Sequence, residues 1–206
     1  MSGPLGGDRL GFDVEVGADA DLEVTTAAAT LALRGSSPAP ATYDVRLTVG
    51  ERARLHWLPQ PLISARGSTL HQSYVLELTP TSRLLFRDEQ LLGRTAEEPG
   101  HLTTRLTVRW NGRTLLDQQN AYGDTAPAWD GPAMLGGHRA TGQLLIVHPG
   151  ITAPAKPQLL GGGPEEGAAV IAPLAHGPAL LATAIAPGPA RLRRLLDMAL
   201  ARVPDV

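Results

Sequence analysis

The chain has 206 residues, a formal net charge of −2 and 43% apolar residues, a composition typical of one globular domain large enough to bury a core. It contains no cysteine, which excludes disulfides, a thiol nucleophile, iron–sulfur clusters and cysteine-based zinc sites. The near-neutral charge gives no electrostatic footprint for nucleic acid or a membrane surface, so neither is expected as a partner.

The first two-thirds of the chain alternates apolar and polar residues with the period of a β-strand. Clear alternation runs over residues 9–16, 43–49 and 102–110, and we expect antiparallel strands with one buried and one solvated face. Asn111 and Gly112 lie between two such segments. Because this dipeptide favours a type I′ turn, a hairpin is predicted there.

A loose repeat links three of the alternating segments. Residues 14–24, 47–57 and 76–86 each contain a strand, a turn of small residues and a second strand. Repeats of this size are typical of stacked, solenoid-like strand layers. Any protein built from hairpins gives a similar pattern, so both interpretations stay open.

The last third of the chain is expected to contain shorter elements. Residues 126–137 are rich in turn residues, 142–148 predict a short buried strand, 149–167 a loop, 168–173 and 179–186 short strands, and 190–203 a helix. The helix has an apolar stripe formed by Leu192, Leu195, Leu196, Met198 and Ala199. We therefore predict a single mostly β domain over residues 1–206. It comprises a strand-rich body (1–148), a loop (149–167) and a final part with short strands and a terminal helix (168–206).

Asp88 and Glu89 are the acidic residues of most interest, because they lie in a segment that is apolar at both ends. A strand there is expected to bury one carboxylate and expose the other. A buried carboxylate is costly unless it is paired with a cation or bound to a metal. The ordinary interpretation is an ion pair with Arg87 or with an arginine of a neighbouring strand.

Residue chemistry alone predicts a cytoplasmic β domain that binds or scaffolds rather than catalyses. The sequence has no secretory signal, no apolar run long enough to span a bilayer and no local catalytic, phosphate-binding or zinc-binding motif. One alternative is a hydrolase that uses Asp88 and Glu89, which requires both carboxylates in one deep pocket about 5–9 Å apart. Another is a generic all-β ligand-binding module, for which the few aromatic residues give little support.

Six regions of the sequence, in order, resemble the urease accessory protein family UreD, also called UreH. They are GPLGGDRL from Gly3, LEVTTAAAT from Leu22, LHWLPQ from Leu55, LLFRDEQLLGR from Leu84, TRLTV and LLD from Thr104 and Leu115, and GPAMLGGHRATG from Gly131. Family members generally carry further strands before the Gly-Gly-Asp segment, so the front of this chain is expected to be either shortened or dispensable. His56 stands where the family usually has a glutamate.

The resemblance implies a non-enzymatic chaperone that binds apo-urease with UreF and the GTPase UreG and assists nickel insertion into urease. It also implies a mostly β, helix-like stack of sheets with an internal polar passage for nickel. By this resemblance Asp8 and Asp88 are expected to contact nickel transiently, with His56 and Glu98 as further candidates. No cofactor is expected to bind tightly, since oxygen and imidazole ligands suit an ion that must be released. From residue type alone, Asp8 is instead expected to cap a turn and Glu98 to be solvated.

Overall fold

The protein consists of two β-sheets and, among the described residues, one helix. A computed structural model describes residues 2–151, 156–163, 165–175 and 177–203. The strands of the first part are β1 (Ser2–Leu5), β2 (Arg9–Val16), β3 (Asp21–Thr25), β4 (Thr30–Leu33), β5 (Ala41–Val49), β6 (Arg54–Leu58), β7 (Leu62–Ser64), β8 (Thr69–Leu78), β9 (Arg83–Leu92), β10 (His101–Trp110) and β11 (Arg113–Tyr122). The remaining elements are β12 (Ala140–Val147), β13 (Gln158–Gly161), β14 (Ala168–Pro173), β15 (Ala179–Ala186) and α1 (Pro189–Leu200).

The first nine strands form a solenoid of about three stacked turns. In each turn the chain passes from a strand of the smaller sheet (β2, β5 or β8) into the larger sheet (β3–β4, β6–β7 or β9) and then returns. The sequence repeat is stacked in register, with Val14 paired to Leu47, Leu47 to Leu76, Val24 to Trp57 and Trp57 to Phe86. The mostly β, solenoid-like prediction is therefore confirmed.

The direction of pairing in the solenoid differs from the prediction of antiparallel strands. Neighbouring strands of its turns run parallel, and antiparallel pairs occur in the β10–β11 hairpin and among β9 and β12–β15. Alternation of apolar and polar residues shows only that one face of a strand is buried, which both directions satisfy. A solenoid turn re-enters a sheet after crossing the other one, so successive strands of one sheet run the same way.

The Asn-Gly hairpin forms as predicted. Trp110 pairs with Arg113, and the two turn residues have positive φ angles, 51° at Asn111 and 72° at Gly112. These left-handed values are those of a type I′ turn, which glycine adopts without steric cost.

We expect Gly112→Ala to lower the free energy of unfolding by about 1 kcal/mol, because alanine is strained in the left-handed region. The added Cβ would meet no atom within 4 Å, so the loss would come from the backbone alone. Urea denaturation of the purified protein measures it. Gly17→Ala is the matched control, since Gly17 also faces open space but lies outside the left-handed region. Equal losses in the two variants would contradict the conformational explanation.

The final part of the chain extends the larger sheet. β12, β15, β14 and β13 follow β9 in that order, so the strands predicted over 142–148, 168–173 and 179–186 are confirmed. The prediction of a loop over 149–167 is wrong in part, because β13 pairs with β14. An edge strand tolerates neighbouring glycines and prolines that would disrupt a central one. Residues 152–155 and 164 of that segment lie outside the described residues.

Helix α1 covers the outer face of the larger sheet. Leu192, Leu195, Leu196 and Ala199 are buried against β12, β14 and β15. Met198, predicted on the same stripe, is 39% exposed, because it lies about 100° around the helix from Ala199. The helix ends at Leu200, three residues before the predicted end. No helix in the described ranges is long and apolar enough to cross a membrane.

Candidate functional site in the polar interior

Polar side chains interrupt the apolar core between the two sheets at the middle of β9. Leu84 and Phe86 point into this core. Because side chains alternate along a strand, Asp88 and Gln90 continue the same inward row. Asp88 is only 3% exposed and Gln90 only 4%. The solenoid therefore encloses a carboxylate between its sheets.

Asp88 receives hydrogen bonds from neutral groups. The Gln90 amide donates to its Oδ2, and the Tyr74 hydroxyl donates to its Oδ1 at 3.5 Å. Gln72 donates from Nε2 to the Tyr74 hydroxyl at 2.8 Å, while its own Oε1 is buried without a hydrogen-bond partner among the described residues. The site thus contains one carboxylate, two amides and a phenol.

The pKa of Asp88 is raised from 3.8 to about 6, chiefly because burial disfavours the charged form. Hydrogen bonds from Gln90, Gln143 and Tyr74 lower the pKa, and the charge of Glu89 raises it further. No cation is among the groups that shift the pKa of Asp88. Near neutral pH the interior therefore holds an uncompensated negative charge, and such perturbed groups cluster at functional sites.

A row of polar side chains leads from Asp88 to the surface across neighbouring strands. Gln143 on β12 lies opposite Asp88, and Thr183 on β15 lies opposite Gln143. Exposure increases along this row, since Asp88 is 3% exposed, Gln143 is 7% exposed and Thr183 is exposed to solvent. The row connects the buried carboxylate with solvent.

A cavity of about 200 Å³ lies beside this row. Its amide- and hydroxyl-bearing lining residues are Gln90, Gln118, Asn120, Tyr122, Thr141, Gln143 and Thr183. Ala133, Met134 and Leu135, from the segment between β11 and β12, contribute the apolar side. Gln118 also donates a hydrogen bond to Gln143 across the two sheets. Gln90 and Gln143, which line the cavity, both hydrogen-bond to Asp88, which is not itself a lining residue.

Glu89 points to the opposite face of β9, under α1. Its side chain is fully buried, and its Oε1 lies 3.2 Å from Nε of Arg193 and 3.7 Å from Nη1 of Arg87. The expected ion pair with Arg87 is therefore present at Glu89. The prediction that one of the two carboxylates would be exposed is wrong, because the inner face of β9 packs on the solenoid core and the outer face on α1.

Two of the other sequence-predicted nickel contacts lie away from Asp88. Asp8 is exposed and accepts a hydrogen bond from the backbone N–H of Leu5 at 2.8 Å, so it caps its turn as residue type alone suggested. His56 lies on the outer face of β6, where its Nδ1 is 3.8 Å from a carboxylate oxygen of Glu23.

Glu98 lies in the segment between β9 and β10, with a side chain that is 71% exposed and 3.4 Å from Arg139. Within the described ranges, no group of three histidine, aspartate or glutamate side chains is arranged to hold a metal ion. The structure thus separates the four candidates, and their contact with nickel stays a prediction.

The sequence analysis missed the amides that surround Asp88. Gln72, Gln90, Gln118 and Gln143 belong to four different strands and form no local motif. One signal was available. Alternate residues of a strand share a face, so Gln90 lies on the same inward face of β9 as Phe86 and Asp88.

Comparisons with known proteins agree on the family. The UreD urease accessory protein family model matches residues 2–204. The urease accessory protein UreD 2 of Saccharopolyspora erythraea is 61% identical over 198 residues, which cover 96% of this chain and 70% of that relative.

Two further relatives have the same description, urease accessory protein UreD. The one from Streptomyces coelicolor is 56% identical over 203 residues, which cover 98% of this chain and 78% of the relative. The one from Parafrankia sp. is 36% identical over 215 residues, which cover 95% of this chain and 70% of the relative. Because the family model and these relatives match nearly the whole chain, the chain belongs to the UreD urease accessory protein family.

Proposed function

We propose that this chain assists nickel insertion into urease as a scaffold that binds apo-urease together with UreF and UreG, and that nickel crosses its polar interior past Asp88 as cargo. Membership of the UreD family supports the general role. The observation that carries the nickel step is the buried Asp88 carboxylate, which has no cationic partner among the described residues.

The chemistry of this site suits a divalent ion in transit. A buried carboxylate without a cation is unfavourable near neutral pH, and an ion beside it would remove that cost. The Oε1 atom of Gln72 and the hydroxyl of Tyr74 offer neutral oxygen ligands nearby. Oxygen donors hold nickel less tightly than thiolates would, which favours release.

The row from Asp88 through Gln143 to Thr183 supports a path between the interior and the surface. Nickel is the transported substrate in this proposal, and no tightly bound cofactor is required. A cytoplasmic location, together with apo-urease, is part of this proposal.

The hydrolase alternative receives no support from the geometry. Asp88 and Glu89 are consecutive residues of β9, so their side chains point to opposite faces of the sheet. Asp88 lies between the sheets and Glu89 lies under α1, where it is held by two arginines. The two carboxylates cannot act on one bond, and we propose a non-catalytic role. The amide-lined cavity likewise differs from the aromatic platform expected of a generic ligand-binding module.

Co-expression with urease subunits, UreF and UreG tests the proposal. With Asp88→Ala, we expect urease activity and the nickel content of purified urease to fall to the level obtained without this chain. The variant removes the one buried carboxylate that lacks a cationic partner among the described residues. Co-purification with UreF and apo-urease is expected to persist, because Asp88 is only 3% exposed and offers almost no surface to a partner.

The matched control is Asp44→Ala, which removes an exposed carboxylate and is expected to leave nickel insertion unchanged. Full nickel content with Asp88→Ala would overturn the nickel step. Asp88→Asn keeps the size of the side chain, so it decides the question should the alanine variant fail to co-purify. Failure of the wild-type chain to co-purify with any of the proposed partners would overturn the scaffold role.

A further inference from the structure

The segment between β11 and β12 contains a small closed flap, residues 131–137. Two backbone hydrogen bonds of 2.9 Å close its neck, from the Gly136 N–H to the carbonyl of Gly131 and from the Gly137 N–H to the carbonyl of Asp130. Within the described part of the chain, none of the seven flap residues forms a hydrogen bond to either sheet. The flap is therefore a structural unit of its own, joined to the fold through its neck and its side chains.

The base of the flap is attached to the sheets. The carbonyl of Arg139 accepts a hydrogen bond of 2.8 Å from the N–H of Leu92 on β9, and its guanidinium lies 5.1 Å from the centroid of the Trp129 ring. Trp129 packs against a core cluster that includes Leu102 and Tyr122. The two sides of the base thus contact each other and the body of the protein, which gives the flap a fixed point about which it can turn.

One side chain holds the tip of the flap in place. Leu135 is the one buried residue of the seven, at 4% exposed, and it packs into the same core cluster as Trp129. Pro132, Ala133 and Met134, which precede it, are exposed. Segments with few buried apolar contacts are those that open locally while the rest of the fold stays intact. Withdrawal of the Leu135 side chain would therefore be enough to release the tip.

The tip of the flap borders the polar cavity. Residues 133–135 form the apolar side of the cavity, and the rest of its lining consists mainly of amide- and hydroxyl-bearing side chains. Two of these amides, Gln90 and Gln143, hydrogen-bond to Asp88. Removal of the tip would open the cavity on its apolar side and expose these amides to solvent.

We propose that residues 131–137 are a gate that opens when Leu135 leaves the core and that admits a divalent cation to the amides beside Asp88. The identity of that cation as nickel rests on the proposed function, whereas the opening itself does not. Opening exposes one leucine side chain to water, which is unfavourable, and hydrates a cavity lined by polar groups, which is favourable. The closed state is therefore dominant, and the open state is accessible from it without unfolding of the sheets.

Cysteine accessibility in the purified full chain measures the opening, because the chain has no cysteine of its own. Gln90→Cys places a thiol on the cavity wall, at a position that is 4% exposed, and Thr141→Cys on the same wall is a second reporter. Adding Leu135→Ala is expected to raise the rate of reaction with a methanethiosulfonate reagent at least about tenfold, because the shortened side chain holds the tip less strongly. The matched control is Leu62→Ala, which shortens a leucine of the same core cluster outside the flap and is expected to have a much smaller effect. Equal acceleration by the two alanine variants, or none with Leu135→Ala, would overturn the gate.

The charge of the reagent tests what the gate admits. In Gln90→Cys, a cationic aminoethyl reagent is expected to react at least about tenfold faster than an anionic sulfonatoethyl reagent, because Asp88 attracts cations to the cavity. Each rate is first divided by the rate at the exposed control Asp44→Cys, which removes the intrinsic difference between the reagents. Asp88→Asn is expected to abolish the preference for the cation and to keep the acceleration by Leu135→Ala. Equal normalised rates for the two reagents would overturn the admission of cations. Nickel insertion that is insensitive to Asp88→Ala would overturn the proposed function but not the gate, since these rates are measured without nickel or urease.

Discussion

Replacing Glu89 by alanine is expected to lower the free energy of unfolding by about 3 kcal/mol. The Glu89 side chain has no exposed surface and lies within 3.7 Å of Arg87 and 3.2 Å of Arg193. Its removal leaves arginine charge near the sheet–helix interface without its buried partner, which costs more than the loss of an exposed ion pair. Urea denaturation followed by circular dichroism measures the change.

The position of Glu89 explains why the effect is expected to reach α1. Gly142 lies opposite Glu89 on β12, and a Cβ at Gly142 would come within 3.4 Å of side-chain atoms of Leu192 and Leu196. The helix therefore approaches the sheet closely beside this carboxylate. Arg193 of α1 also lies 3.3 Å from Oε1 of Gln60. Loosening this contact is expected to increase hydrogen exchange in α1 before the solenoid turns open.

Two controls accompany this prediction. Glu89→Gln retains the shape and some hydrogen bonds, so it is expected to cost less than the alanine variant. Glu77→Ala removes a carboxylate from a partly exposed pair with Arg109, 2.8 Å away, and is expected to change the free energy of unfolding by less than about 1 kcal/mol. Equal losses for Glu89→Ala and Glu77→Ala would contradict the role of Glu89 as the buried anchor of the helix.

The solenoid could be predicted because its repeat is local. Each repeat segment contains both a smaller-sheet strand and a larger-sheet strand, so aligning the segments predicts which residues stack, as with Val14, Leu47 and Leu76. Strand direction could not be predicted in the same way, since parallel and antiparallel strands share one alternating pattern. β13 was missed because its pairing with β14 is a tertiary contact, which the surrounding glycines and prolines conceal.

The candidate site could be predicted only in part, for a similar reason. Asp88 was singled out from an apolar segment, but burial of Glu89 depends on Arg193, which is 104 residues away in the chain. The amides around Asp88 come from strands distributed over the sequence, and a glutamine in a strand gives no sign of which face it occupies. Asp8 caps an exposed turn and His56 lies beside Glu23 on the outer face of β6, whereas Asp88 is buried between the sheets.

Asp88 and Glu89, neighbouring residues of one strand, thus lie in opposite electrostatic surroundings. Glu89 is compensated by arginines and joins the helix to the sheet. Asp88 is surrounded by neutral donors and keeps its charge uncompensated. A buried charge of this kind does not help packing and lowers stability at neutral pH. We therefore expect stability and nickel delivery to conflict at Asp88.

We expect Asp88→Asn to be more favourable for stability, relative to wild type, at neutral pH than in acid. The pKa of Asp88 is 3.8 as a model value and about 6 in the folded protein, so the folded state binds this proton more tightly than the unfolded state. Wild-type stability from this group is therefore fully present below about pH 4 and is lost as the pH rises to about 6. A shift of about two pKa units corresponds to about 3 kcal/mol. Asparagine does not titrate, so the free energy of unfolding of the variant minus that of wild type is expected to rise by most of this amount between pH 4 and pH 7.

Denaturation curves of both proteins across this pH range measure the rise, and the change with pH is more informative than the absolute difference. Asparagine can leave one donor of Gln90 or Tyr74 unmatched, which costs about 1 kcal/mol at every pH and does not alter the slope. Asp44→Asn removes an exposed carboxylate and is expected to show no comparable rise. If the difference in the free energy of unfolding between Asp88→Asn and wild type does not change with pH, Asp88 is not held as an uncompensated buried charge. The expected combination, a more stable chain at neutral pH that delivers less nickel to urease, would identify the carboxylate as retained for transport at the expense of stability.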